Sequence, residues 1–148
     1  MAWSELPFSK YKGKTLPEIM VRDLDWFFWI EPKLYGRIRE EAQDLTQKAR
    51  GIKIPRESGK NLEVEYWYEF GDRFCGFGIV KASDARYSRW SIRLPYLDLS
   101  WPFRRDYDKR AGRLLMRGFR LHYFGQNKRL TKERIETFFS NPRNFIGA

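Results

Sequence analysis

The spacing of apolar residues changes twice along this chain, and that change constrains the fold more than any other feature. In residues 15–50 apolar residues recur at steps of three and four, which is typical of amphipathic helices. In residues 62–70 apolar and polar residues alternate, which indicates a strand with one apolar face. From Arg110 onward the helical spacing returns. Separate blocks of helix, strand and helix favour an α+β fold.

The expected elements follow from these blocks. Thr15 and Pro17 predict a helix start, and a second amphipathic helix is predicted over residues 33–50. Strands are predicted at residues 62–70, 74–80 and 87–94, and residues 96–100 are the candidate fourth strand. We therefore expect N-terminal helices, an antiparallel meander of three to four strands, and a long C-terminal helix packed on the sheet.

The length of 148 residues suits one domain, or one domain with a small appended module. Residues 55–61 are rich in Pro, Ser, Gly and charge and form the best linker candidate. This predicts a helical module at 1–54, which contains a basic loop, and a sheet with C-terminal helices at 62–148. A single compact unit is the alternative.

The net charge of +10 is unevenly distributed. Residues 101–148 hold 12 basic and 4 acidic side chains, whereas residues 61–100 hold 5 and 6. An aromatic content of 18% argues against a disordered basic tail. The pattern indicates one electropositive face on a folded scaffold, and it favours nucleic acid as the partner, with DNA preferred over RNA. A surface that serves only solubility is the simpler alternative.

The sequence lacks the features that are typical of membrane proteins and of secreted proteins. No apolar stretch approaches the roughly 20 residues of a membrane span. The N-terminus has neither the basic nor the apolar region of a signal peptide, so we expect a cytoplasmic protein with no membrane partner.

Catalysis is poorly supported by the sequence. His122 and Cys75 are the only residues of their types, and no nucleotide-binding or nucleophile motif is present. We expect no catalytic residues, no metal and no cofactor, and hence a non-enzymatic protein. Glu63, Glu65 and Glu69 share what we expect to be the solvent-facing side of the first strand. A metal-dependent nuclease that uses Glu63, Glu65 and Asp72 is the remaining enzymatic hypothesis.

A cationic stripe is predicted on the long C-terminal helix. At 100° per residue, its members fall within an arc of about 100°, and they are Lys109, Arg110, Arg113, Arg117 and Arg120. Such a stripe can follow a phosphate backbone, and Arg forks suit phosphate well. Further candidates for the same surface are Arg89, Arg93, Lys128 and Arg129. Trp67, Tyr87 and Trp101 are candidates for stacking on bases.

The most specific motif lies in residues 6–19. Lys10, Lys12 and Lys14 alternate as they would on an extended strand, and Gly13 permits a positive φ in a tight turn. The segment Asp23-Leu24-Asp25-Trp26-Phe27 follows at a fixed distance. The three lysines form a second candidate patch for phosphate contacts.

Residues 6–50 resemble a small module built around Phe-Gly-Lys-Tyr-Lys-Gly-Lys and a later Asp-x-x-Tyr-x-x-Trp. That module is found behind DEDD-type exonuclease domains and in stand-alone bacterial and phage proteins labelled as quorum-sensing-regulated virulence factors. The resemblance implies an association with DNA metabolism and carries no catalytic residues. Residues 60–148 resemble no family known to us.

These features together predict a non-enzymatic accessory protein that binds nucleic acid through its phosphates, in a phage, mobile-element or DNA-processing context. Binding is expected to be electrostatic and weakly sequence-specific, because no base-reading motif is present. The alternative is a protein-interaction module or inhibitor that docks its cationic face on an enzyme.

Overall fold

The computed structural model describes residues 3–55, 61–103, 108–125 and 129–147. Within these residues the chain forms five α-helices and one three-stranded antiparallel sheet. The helices are α1 (Leu16–Arg22), α2 (Leu24–Ile30), α3 (Gly36–Ala49), α4 (Lys109–Phe124) and α5 (Lys132–Ser140). The strands are β1 (Leu62–Glu69), β2 (Arg73–Lys81) and β3 (Ile92–Leu94). The predicted α+β class, with N-terminal helices and a long helix against the sheet, is confirmed.

The first helical run is interrupted at Asp23. Thr15 is the N-cap of α1, and the Glu18 carboxylate accepts a hydrogen bond from the Thr15 backbone N–H at 3.1 Å, as in a capping box. Apolar residues keep helical spacing across this point, from Ile19 to Phe28, but Asp23 has φ −150° and ψ 72°. Its backbone N–H still donates to the Ile19 carbonyl, and its own carbonyl accepts from Phe27 N–H. The chain therefore turns at Asp23 without losing backbone hydrogen bonds.

The strand order corrects the predicted meander. β1 lies in the centre, with β2 on one side and β3 on the other, and both pairs are antiparallel. The predicted third strand is reduced to Ile92–Leu94, because residues 82–91 cross over β1 instead of pairing beside β2. The candidate fourth strand at 96–100 is also wrong. Leu97 instead exchanges backbone hydrogen bonds with Ile52, at 2.8 and 2.9 Å.

Helix α4 packs against β2 and α2 through a face of small and apolar residues, among them Ala111, Leu115 and Phe119. Gly118 allows the closest approach: a Cβ there would lie 2.6 Å from the Phe77 ring. One hydrophobic core contains side chains from both sides of the predicted linker, for example Ile19, Tyr66 and Phe139. Residues 56–60 of that linker lie outside the described residues, and the division into two domains stays a prediction.

The two glycines inside α4 provide a matched test of this packing. Gly118→Ala should lower the free energy of unfolding by about 1–3 kcal/mol, because the new methyl group would overlap the buried Phe77 ring. Gly112→Ala should raise it by up to about 1 kcal/mol, since its Cβ meets nothing closer than 3.6 Å and Ala favours helix. Urea unfolding measures both, and a gain in stability for Gly118→Ala would contradict the packing.

Candidate nucleic-acid interface

The N-terminal lysines lie on a closed turn. Leu6 N–H donates to the Lys14 carbonyl at 2.8 Å, and Gly13 N–H donates to the Leu6 carbonyl at 2.9 Å. Gly13 has φ +86°, as predicted, and Ser9 also has a positive φ of 71°. The expected extended arrangement of the lysines is wrong, because residues 9–13 turn back on themselves. Lys10 and Lys12 are exposed, while Lys14 is half-buried.

The turn is joined to helix α4 by one carboxylate, that of Asp23. The Tyr11 hydroxyl donates to Asp23 Oδ2, and Lys10 Nζ lies 3.4 Å from the same oxygen. Lys109 Nζ, at the start of α4, donates to Asp23 Oδ1 at 3.0 Å and lies 3.7 Å from Asp25 Oδ1. We call these five residues the Asp23 junction. It brings together two basic segments that are far apart in sequence.

The two carboxyl groups of the junction have opposite pKa shifts. Burial alone would raise the pKa of Asp23, but hydrogen bonds from Tyr11, Asp25 and Lys109 outweigh it and hold that pKa well below its usual range. Burial, followed by the hydrogen bond and charge of Asp23, raises the pKa of Asp25. The hydrogen bond to Asp23 also raises the pKa of Lys109. The junction therefore holds two ammonium groups beside one firmly ionised carboxylate.

The predicted cationic stripe of α4 is solvent-exposed along its length. Arg113, Arg117 and Arg120 make no ion pair within the part of the chain that the structure describes. Lys109 is paired in the junction, and Arg110 Nη1 donates to the Phe74 carbonyl at 2.7 Å. The first turn of the stripe thus anchors the helix, and the following turns present exposed guanidinium groups.

Arg93 does not belong to this surface. Its side chain is only 8% exposed, and its Nε donates to Glu65 at 3.0 Å. Its remaining N–H groups donate to backbone carbonyls of the 82–91 crossover, including that of Asp84 at 2.7 Å. The prediction that Arg93 contacts nucleic acid is corrected, since its donors are already occupied by the fold.

The other basic candidates have different surroundings. Arg89 is exposed, and its guanidinium lies 4.5 Å from the centre of the Trp90 ring. Arg129 is exposed, and its carbonyl accepts from Arg134 Nη1 at 2.7 Å. Lys128 lies outside the described residues. No described contact joins these residues to the Asp23 junction.

The acidic residues of β1 do not form a metal site. Glu65 was expected to face solvent, but the crossover covers it and leaves it 2% exposed. Its two oxygens accept hydrogen bonds from Arg93, from Trp67 Nε1 at 3.0 Å and from Tyr87 N–H at 3.3 Å. Among the described residues, no group of three or more His, Cys, Asp or Glu side chains could hold a metal ion. This geometry gives no support to the nuclease hypothesis.

The rings singled out for base stacking are mostly engaged within the protein. Trp67 stacks on Tyr87 with centroids 5.3 Å apart, and Trp101 packs against the buried Tyr66. The Tyr87 hydroxyl donates to Glu69 at 2.6 Å, which raises the pKa of Tyr87 to about 12. These contacts leave Tyr87 as the exposed member of the set.

A different set of rings, which the sequence pattern did not single out, lies beside the Asp23 junction. Tyr11 lies edge-on to Trp26 with centroids 4.9 Å apart, and Trp26 lies 6.5 Å from Trp29. We call Tyr11, Trp26 and Trp29 the aromatic row. Trp26 and Trp29 are three residues apart on α2, and the buried face of that helix is already supplied by Leu24, Phe27, Phe28 and Ile30. This surplus of rings in a seven-residue helix is the sequence signal that could have identified the row.

Comparison with family models, curated proteins and solved structures finds no match to this chain. The resemblance of residues 6–50 to the exonuclease-associated module therefore stays an expectation. Within the described residues, no helix combines the length and hydropathy needed to cross a bilayer.

The role of Asp23 in joining the two basic segments can be measured by its removal. Asp23→Ala should lower the free energy of unfolding by about 3 kcal/mol, because it leaves Tyr11 and Lys109 without their acceptor at a site only 8% exposed. Asp44 pairs with Lys48 on α3 but is 59% exposed, so Asp44→Ala should cost less than about 1 kcal/mol. Equal losses in urea unfolding would contradict the anchoring role of Asp23.

The raised pKa of Asp25 predicts a pH-dependent effect of Asp25→Asn. A carboxyl whose pKa is raised on folding stabilises the fold below its unfolded pKa, near ~3.9, and loses that contribution as the pH rises through its folded value. The Asn amide can still donate to Asp23, as the protonated acid does. Asp25→Asn should therefore be more stable than wild type at pH ~7, and the gain should shrink at pH ~3. A gain that is constant with pH in urea unfolding would contradict this assignment.

Proposed function

We propose that this protein binds the phosphate backbone of nucleic acid on one surface made by the N-terminal turn and helix α4. The observation that carries the proposal is the shared carboxylate of Asp23, with Lys10 at 3.4 Å and Lys109 at 3.0 Å. Because both lysines reach one aspartate, the N-terminal turn lies beside the start of the arginine stripe.

The charges that remain free support this surface. Asp23 and Asp25 offset part of the charge of Lys10 and Lys109. The junction therefore attracts phosphate less strongly than the two lysines alone would. Lys12 on one side and Arg113 and Arg117 on the other are exposed. Exposed guanidinium groups bind phosphate oxygens through paired N–H donors, and each phosphate they neutralise releases condensed counterions.

The class of ligand follows from the same features. The surface offers cations but no recognised base-reading element, so we expect affinity that depends strongly on salt and weakly on sequence. We propose DNA rather than RNA, and an accessory role in a phage, mobile-element or DNA-processing context. A DNA-processing enzyme is the proposed protein partner, and the cytoplasm is the proposed location.

Salt dependence tests the surface most simply. Fluorescence anisotropy with a labelled DNA duplex should give a dissociation constant that rises steeply with salt. In the double variant Arg113→Gln/Arg117→Gln, the slope of log affinity against log salt should fall by about 1.8, because two phosphate contacts are lost.

A control of equal charge is available at α3 and its C-cap. Arg39 and the C-cap residue Arg50 are exposed, so Arg39→Gln/Arg50→Gln removes the same net charge from another region and should leave the slope near that of wild type. If both variants lose affinity equally, net charge alone attracts DNA and the proposed surface is wrong. If the wild type binds neither duplex nor single strand at low salt, the protein-interaction alternative becomes the better account.

A further inference from the structure

We propose that the aromatic row of Tyr11, Trp26 and Trp29 binds unstacked bases, so that the preferred ligand of this protein is single-stranded nucleic acid. The inference rests on the proposed function and names its substrate class. It concerns rings beside the Asp23 junction, where the two basic segments meet.

The rings are placed to meet solvent. Trp29 is 43% exposed, and Tyr11 and Trp26 are half-buried. Phe8, in the N-terminal turn, is also 43% exposed. Tyr11 and Trp26 pack against the core with part of their surface, whereas Trp29 is not among the side chains that do so, and the opposite face of α2 contributes Phe27 and Phe28. One exposed ring next to two half-buried rings, all beside a basic junction, is more typical of a binding surface than of a scaffold.

The spacing of the row discriminates between ligands. Its rings are tilted by 65° and 46° to one another, with centroids 4.9 and 6.5 Å apart, whereas successive bases of a duplex strand are parallel and separated by about 3.4 Å. Paired and stacked bases also present only their edges in the grooves. Bases that have separated from their neighbours can each present a face to one ring. The row therefore favours a single strand.

Cations lie at both ends of the row. Lys10 Nζ is 5.2 Å from the centre of the Tyr11 ring, and Lys33 Nζ is 4.2 Å from the centre of the Trp29 ring. Lys109 adds a third ammonium group at the junction. Asp23 offsets part of the charge of Lys10 and Lys109. The phosphates of a strand whose bases contact the rings would therefore meet partly neutralised ammonium groups at the junction and the Lys33 ammonium group at the other end. Rings beside cations are the combination used for single-strand binding without sequence preference.

Lys33 covers one face of the Trp29 ring. The strength of this lysine–ring contact, compared with that of a base stacked on the same ring, decides which contact forms in a complex. An exposed cation–π contact contributes about 2- to 5-fold in an equilibrium constant. Stacking of a base on an aromatic side chain contributes about 5- to 150-fold in affinity. A base can therefore displace the Lys33 ammonium group, which also donates to the Trp29 carbonyl at 3.2 Å, from the face of the ring, after which that group is available to a phosphate.

Trp29→Ala is the direct test, because the ring is exposed and the core does not depend on it. Binding is measured by anisotropy with a fluorescein-labelled oligothymidylate of about 12 nucleotides and with a duplex of equal length. We expect the variant to bind the single strand about tenfold more weakly and the duplex as the wild type does. Trp29→Phe should recover most of the lost affinity, since it keeps a ring.

Trp90 provides a matched control. It is another exposed Trp covered by a cation, with Arg89 at 4.5 Å, but it belongs to the crossover over β1. Trp90→Ala should leave both affinities unchanged. If Trp90→Ala weakens single-strand binding as much as Trp29→Ala does, the effect is not specific to the row and the inference fails.

The remaining outcomes separate this inference from the proposed function. If Trp29→Ala binds the oligothymidylate like wild type while Arg113→Gln/Arg117→Gln weakens binding, the row is overturned and the phosphate surface stands. If Trp29→Ala weakens duplex and single strand equally, the ring acts only through the position of Lys33, and the inference is again overturned. If neither the wild type nor any variant binds the oligothymidylate or the duplex, the proposed function itself fails.

Discussion

The packing of the N-terminal turn against helix α4 depends on the hydrogen bonds that the Asp23 carboxylate accepts from these two segments. Asp23 lies between α1 and α2, is almost fully buried, and accepts hydrogen bonds from Tyr11 and Lys109. A buried carboxylate is unfavourable unless donors surround it, and here those donors come from opposite ends of the chain. The need to satisfy one anion therefore fixes the N-terminal turn against α4. The adjacent Asp25 is left with a raised pKa, because two carboxylates at one site are not ionised equally.

This arrangement separates cations that hold the fold together from cations that are exposed on the surface. Lys109 and Arg93 are bound to carboxylates, and Arg110 is bound to a backbone carbonyl. Arg113, Arg117 and Lys12 remain exposed. The net charge therefore overstates the positive charge that is accessible to a polyanion. The positions of the exposed cations are a better guide to where a polyanion would bind. The aromatic row adds a second kind of contact beside the same junction, one that responds to bases instead of phosphates.

The sequence predicted those features that depend on local pattern. The capping of α1 by Thr15, the positive φ of Gly13 and the exposed arc of α4 each follow from a few neighbouring residues. Features set by distant partners were not predictable in this way. Alternation placed Glu65 on a solvent face, and only the crossover that brings Arg93 onto it shows otherwise. In the same way, Asp23 looks like one more helical residue until Lys109 and Tyr11 are placed beside it.

A titration monitored by amide chemical shifts in NMR tests the central claim most directly. With unlabelled oligothymidylate added to ¹⁵N-labelled protein, residues 9–14, residues 24–30 and residues 109–120 should shift together and give one dissociation constant. The amides of α3 and α5 should not move. Shifts confined to one of the three segments, or centred on α3, would show that the two basic segments do not act as one surface, and would contradict the account.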